Sequence, residues 1–168
     1  MRFTLIDRIT ELEPGQRLTA VKNLTLAEEY LEDHFPLFPV MPGVLMLESL
    51  YQAGAWLVRC SEDFAHSMVQ LAEANHVKFN DFVEPGETLI VRARIQRQNE
   101  QTTWIQAEGE VNQRIAVKAR LVLDRFNLAD RQLASSTTDA YMIHALRRDC
   151  DNLLGRTRPA AQADESTL

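Results

Sequence analysis

The chain is poor in the features that mark several protein classes. It has two cysteines, Cys60 and Cys150, in 168 residues. They are far apart and no paired histidines accompany them, so a disulfide framework and a structural zinc site are excluded as organising features. So low a count suits a reducing compartment. Basic residues are also scarce: Lys+Arg is 18 against 24 for Asp+Glu, a formal net charge of -6. A general nucleic-acid binder needs a basic face, so none is expected here, although a local basic patch is compatible with this balance. Long apolar runs are missing too. The longest, Val44 to Leu47, is broken by Glu48 and falls far short of the roughly 20 residues that span a bilayer. No membrane span is expected. The N-terminus reaches Asp7 before any long apolar run, which does not fit a secretory signal. The expected location is cytoplasmic.

What is present is a globular composition, 45% hydrophobic and 25% charged, at a length that buries a real core in one compact domain. There is no internal repeat and no extended low-complexity segment. Residues 3–25 read as strand-turn-strand, with Phe3 to Ile9 and Leu18 to Thr25 on either side of Pro14-Gly15. Residues 26–43 differ. Pro36, Pro39 and Pro42 forbid a regular helix or a central strand, which leaves an ordered, irregular loop.

From Gly43 to about Arg59 the apolar residues leave almost no polar face, the pattern of a buried helix. Pro42 suits the position just before its first turn. Met68 to Phe79, Thr88 to Gln98, Thr102 to Val111 and Ile115 to Leu123 then read as strands, with turns at Pro85-Gly86 and near Asn112-Gln113. A sheet that must cover such a helix wraps around it, so the expected class is α+β with one central helix. A second helix is expected over 139–154, with Thr138-Asp139 as N-cap, Gly155 at C′ and an apolar side of Tyr141, Leu146, Leu153 and Leu154. Residues 156–168 are polar and read as a disordered tail.

Glu48 is the sharpest local conflict, a carboxyl one turn into an apolar helix. Gln52 stands at i+4, on the same face. Burying an unpaired carboxylate favours its neutral form, and a neutral carboxylic acid is a proton donor. The plainer reading is a structural Glu paired with Gln52, or one facing a subunit boundary. His34 precedes the proline-rich loop, where a rigid backbone can aim a base that works near neutrality. The alternative is a surface histidine beside acidic residues. Gly43 opens the helix; its N–H is a free donor at the positive end of the dipole and can stabilise an enolate. Alternatively Pro42-Gly43 is loop-to-helix punctuation. Taken together, a base, an acid and an N–H donor suit removal of a proton next to a carbonyl with loss of a β-hydroxyl. No two histidines stand at metal-ligand spacing, so no metal site is expected.

The run His34-Phe35-Pro36…Pro39-Val40-Met41-Pro42-Gly43-Val44-Leu45…Glu48…Gln52 resembles the active-site signature of FabZ-type 3-hydroxyacyl-acyl-carrier-protein dehydratases. Phe3 to Ile9, Val21 to Thr25, Val77-Lys78-Phe79 and Val83 to Glu87 resemble flanking segments, so the likeness covers about residues 1–125. The resemblance implies a hot-dog domain over 1–125, followed by an extension over 126–155. It implies His34 as base, Glu48 as acid from the partner subunit, Gln52 holding Glu48, and Gly43, Val44, Gln52, Phe35 and Pro42 as substrate-binding residues. It also implies an acyl carrier protein as partner and an apolar acyl tunnel between subunits. The homodimer would be the minimal active unit, which three-fold assembly would make a hexamer. No cofactor is implied beyond the phosphopantetheine that carries the substrate. Glu rather than Asp at 48 makes isomerase activity less expected.

Asp33 and Leu37 stand where family members usually carry glycine, which places bulky Leu37-Phe38 at the tunnel mouth. The same fold supports two other readings: an acyl thioesterase, which also uses a carboxylate on the central helix, and a non-catalytic acyl-carrier or acyl-chain binder. Carrier docking needs a basic patch, for which Arg92, Arg94, Arg114, Lys118 and Arg120 are the candidates.

Overall fold

Alternating apolar residues build six strands, and the structure, a computed structural model, describes residues 3–156. In chain order these are β1 (Arg8–Glu13), β2 (Arg17–Asn23), helix α1 (Gly43–Ser61), β3 (Met68–Phe79), β4 (Thr88–Gln98), β5 (Thr102–Val111), β6 (Arg114–Phe126) and helix α2 (Ser136–Leu153). Short 3-10 helices at Glu29–Leu31 and Ala129–Arg131 interrupt the connections. The strands form one antiparallel sheet in the order β1-β2-β4-β5-β6-β3. The tail expected at 156–168 lies outside the described residues apart from Arg156.

Tight turns set the β1–β2 and β5–β6 hairpins and the entry into β4. Gly15 and Gly86 adopt φ of 77° and 95° after a proline, the pairing that a turn with a left-handed third residue needs. Asn112 and Gln113 both have positive φ, which matches the right-handed twist of β5 and β6.

The first strand is shorter than its sequence suggests. Residues 3–7 form no strand: the Asp7 N–H still reaches β2, donating to the Val21 carbonyl at 2.8 Å, but Phe3 and Leu5 turn their backbone groups to the Gln52 side chain. The Leu5 N–H donates to the Gln52 side chain at 2.9 Å, and the Asp7 carboxylate accepts from the Asn23 N–H at 2.6 Å. Asp7 also lies 3.5 Å from the buried ammonium of Lys22, which meets Glu28 at 2.5 Å. This cluster ties β2 and the N-terminal segment to the start of the loop that carries His34.

α1 lies against the sheet. Met46, Leu50, Ala53, Leu57 and Val58 are buried, and each fully buried leucine contributes roughly 1.5–3 kcal/mol. At Gly54 the helix comes so close that a Cβ would sit 3.1 Å from Ile105 Cδ1. The expectation of a helix buried all round is corrected. Val44 is 68% exposed, and Leu45, Leu47, Tyr51 and Trp56 are half-buried. A curled sheet covers one side of a helix, so the other apolar side stays open in the single chain.

α2 starts earlier than expected. Ser135 is its N-cap and accepts from the Thr138 N–H at 3.2 Å. Asp139 is not a cap for its own helix. Its carboxylate accepts from the N–H groups of Leu128 and Ala129, each at 3.0 Å, and from the buried Ser67 hydroxyl at 2.5 Å. Tyr141 is 74% exposed and not part of the packed side, which runs instead through Asp139, Leu146, Cys150 and Leu153. Cys60 and Cys150 meet with their sulfurs 3.2 Å apart. That contact and burial push the Cys60 thiol up, so it keeps its proton. Among the described residues no helix is long and apolar enough to cross a membrane.

The Ser67 hydroxyl, followed by the backbone N–H groups, holds the Asp139 carboxyl below its ordinary range. A depressed folded-state value stabilises above the unfolded carboxyl's pKa of about 4, and the gain is lost as pH falls through the folded value. Asp139→Asn should therefore lower the urea midpoint at neutral pH. Its gap to wild type should close below about pH 4; a gap that persists in acid would assign the effect to packing instead.

Candidate active site

The prolines keep the loop after the first 3-10 helix out of regular structure, and its own backbone bonds hold it. Phe35 and Phe38 exchange N–H···O bonds, the Val40 N–H donates to the His34 carbonyl, and the Met41 N–H donates to the Val83 carbonyl at 2.9 Å. Val40 and Met41 are buried, so the loop is anchored at its far end. His34 is half-buried. Its Nδ1 lies 3.1 Å from the Val40 carbonyl oxygen. A carbonyl only accepts, so Nδ1 carries the proton, and in the neutral ring Nε2 has the free lone pair. The imidazole packs on Phe35 at a centroid distance of 4.2 Å.

Gly43 begins α1, where the first N–H groups have no intrahelical acceptor. A Cβ at this position would meet the Phe79 ring at 3.2 Å, so β3 passes close to the helix end here. Pro42 is half-buried, whereas Val44 and Phe35 are exposed. Leu37 is fully exposed and Phe38 packs edge-on against Phe82 at 5.6 Å. In the single chain, then, these two residues stand on an open surface and do not narrow a channel. Asp33 is likewise exposed.

Glu48 is half-buried on the open side of α1. Gln52 Nε2 donates to Glu48 Oε1 at 3.0 Å and to the Phe3 carbonyl at 3.2 Å, while Gln52 Oε1 accepts from the Leu5 N–H. The Leu5 donor fixes which way the amide points. Oε1 of Glu48 is thereby engaged as an acceptor. Glu48 and Gln52 face a pocket of about 480 Å³ whose walls include Thr4, Tyr51, Trp56, Arg59 and Asp149. Its lining is mixed in polarity. Burial pushes the Tyr51 hydroxyl up and the Arg59 guanidinium down. Tyr51 donates to the Val69 carbonyl at 2.8 Å.

One chain does not bring the two halves together. Among the described residues the pocket beside Glu48 does not include His34. Gly43, Pro42 and Phe35 stand with His34 at the loop and helix start, and Gln52 stands with Glu48. Tyr51, Trp56 and Arg59 were not singled out from the sequence; their spacing from Glu48 along one helical stripe was the available signal. Asp149 had none, because it comes from α2. Two of the candidate docking arginines are engaged: Arg92 with Glu110 at 2.7 Å and Arg114 with Asp81 at 3.1 Å. Among the described residues no group of three or more His, Cys, Asp or Glu side chains could hold a metal ion.

Residues 1–120 match the family described as FabA-like domain. The chain is 37% identical over 116 residues to a 3-hydroxyacyl-[acyl-carrier-protein] dehydratase FabZ of Levilactobacillus brevis, covering 69% of this chain and 78% of that protein. It is 45% identical over 94 residues to the FabZ of Wolbachia pipientis, covering 56% of this chain and 66% of that one. Among solved structures it resembles the dehydratase heterocomplex ApeI:P of Xenorhabdus doucetiae, with a TM-score of 0.59 and 15% identity over 73% of this chain and 83% of that one. It also resembles the PaaI protein of E. coli, with a TM-score of 0.55 and 16% identity over 70% and 82%. At such identities these structures establish the hot-dog fold alone.

Removing the Gln52 amide would strand the buried Leu5 N–H and free Glu48. Gln52→Leu should cost about 1–3 kcal/mol of stability. Urea unfolding will read this, and an unchanged midpoint would show that Leu5 finds another acceptor.

Proposed function

The chain belongs to the FabA-like domain family, and on that premise we propose that it dehydrates 3-hydroxyacyl-[acyl-carrier-protein] to the trans-2-enoyl thioester in fatty-acid or related lipid synthesis. The observation that carries the reading is a histidine whose tautomer is set by a backbone carbonyl, on an anchored loop that leads into the helix bearing Glu48. The names of the relatives support the substrate class.

His34 Nε2 removes a proton from C2 of the substrate. The charge that develops on the thioester oxygen is met by the Gly43 N–H at the positive end of α1. Glu48 Oε2 gives its proton to the 3-hydroxyl, the C3–O bond breaks, and water leaves as the C2=C3 bond forms. Gln52 holds Glu48 through Oε1 and keeps Oε2 for the substrate. The proton on His34 then returns to Glu48 through solvent. The carrier's phosphopantetheine delivers the acyl group, and the protein supplies positioned groups without a cofactor.

Two copies complete the site, His34 from one facing Glu48 from the other. The surface around His34 supports this. Phe35, Phe38, Phe79 and Phe82 are 45–55% exposed, and β3, which carries Phe79, is an edge strand. An apolar patch beside an open strand edge is the surface a second copy covers.

His34→Ala and Glu48→Gln should each lower kcat/KM by about 10²–10⁴-fold with the fold intact. Mass spectrometry of a 3-hydroxyacyl carrier will read loss of one water; release of the whole acyl group would identify a thioesterase instead. The two inactive variants, unfolded together and refolded, should recover about a quarter of wild-type activity, because half of the dimers then hold one intact site. No recovery from folded mixed dimers would place both groups on one chain.

A further inference from the structure

The pocket beside Glu48 is walled on one side by an element that the family match does not include. The match ends at residue 120, yet Asp149, Asn152 and Leu153 of α2 form part of the wall. α2 is fastened at several points along its length. Asp139 is held by Ser67, Leu128 and Ala129. Arg147 pairs with Asp63 at 2.6 Å and lies over the Phe64 ring at 4.8 Å. Cys150 touches Cys60 of α1. A wall tied to both α1 and the loops after it has little freedom to move aside.

The pocket follows α1 from Glu48 past Trp56 to Arg59, about three turns or roughly 16 Å of helix. Its far end is unsuited to hydrocarbon. The Arg59 guanidinium is largely desolvated, and its Nε is buried without a hydrogen-bond partner. Asp149 and Asn152 stand on the same wall. An alkyl chain pushed against such groups would displace their remaining solvation and return nothing.

We propose that α2 limits the length of the acyl group this site accepts, with Leu153 and Asn152 as the stop. The inference rests on the dehydratase reading above. In that reading His34 and Gly43 of one subunit hold C2 and C1, and the partner subunit's Glu48 meets the hydroxyl on C3. The pocket behind Glu48 is then left for the carbons from C4 outward. Short acyl groups end before α2, and long ones collide with it or with the charged end.

The test is kcat/KM on 3-hydroxybutyryl, 3-hydroxyoctanoyl and 3-hydroxyhexadecanoyl carrier protein, with the full-length chain. Wild type should favour butyryl over hexadecanoyl by at least about tenfold. Asn152→Ala with Leu153→Ala should shrink that ratio by about tenfold, and Leu153→Trp should lower the octanoyl-to-butyryl ratio by a similar factor. Tyr141→Ala, on the exposed side of α2, should leave both ratios as they are, which separates a wall from a general effect of the helix. If wild type and the variants share one chain-length profile while dehydrating all three substrates, α2 sets no limit and the inference fails alone. If wild type removes water from none of them, the dehydratase reading fails and this inference with it.

Discussion

α1 has to satisfy two environments at once. One side is pressed into the sheet, close enough at Gly54 that a methyl group would stand 3.1 Å from Ile105. That contact fixes the rotation of the helix about its axis. Once the rotation is fixed, Glu48 and Gln52 must face away from the sheet, and Gly43 must sit where β3 passes the helix end. The position of the carboxyl is therefore a consequence of core packing on the opposite face. The last adjustment comes from Gln52, whose amide is oriented by the buried Leu5 N–H and in turn holds Glu48. An N-terminal segment that contributes no strand of its own thus still holds Glu48 in place.

The loop that carries His34 follows a different logic. Regular hydrogen bonding is denied to it by its prolines, so its order comes from a few specific bonds and from the burial of Val40 and Met41. The same set of bonds decides which imidazole nitrogen is basic. Loop and helix join at Pro42-Gly43, so His34 and the Gly43 N–H are positioned from one junction, while Glu48 faces the pocket beside Trp56 and Arg59. This division within one chain is the physical argument for a site shared between two copies. The open apolar side of α1 and the exposed phenylalanines about His34 point the same way, because water-exposed apolar surface of that extent calls for a cover.

Much of this was legible in the sequence. The alternation of Leu89, Val91, Ala93 and Ile95 marked β4 to the residue, and the boundaries of β3 and β5 were equally clear. Proline spacing marked the irregular loop. Glu48 stood out as a carboxyl in an apolar helix, Gly43 by opening that helix, His34 by its place at the proline-rich loop and Gln52 by its i+4 spacing from Glu48. Less legible was the segment before Arg8, whose apolar residues suggested a strand. The backbone groups of Phe3 and Leu5 turned out to be partnered by the Gln52 side chain on α1, which no local pattern announces. The start of α2 was missed for a related reason: Asp139 looks like a cap, and it is one, but for the N–H groups at Leu128 and Ala129.

Read alone, the sequence determined the class of the fold, the order of its elements and the motif that runs from His34 to Gln52. Those features rest on short-range periodicity, on turn chemistry and on the spacing of a motif. The tertiary structure alone decided which side of α1 is open and that Cys60 meets Cys150 across 90 positions of chain. It alone also showed that α2 walls the pocket beside Glu48. Each of these is set by how the helices and the sheet pack in space, and packing joins residues whose distance along the chain carries no information about their contact.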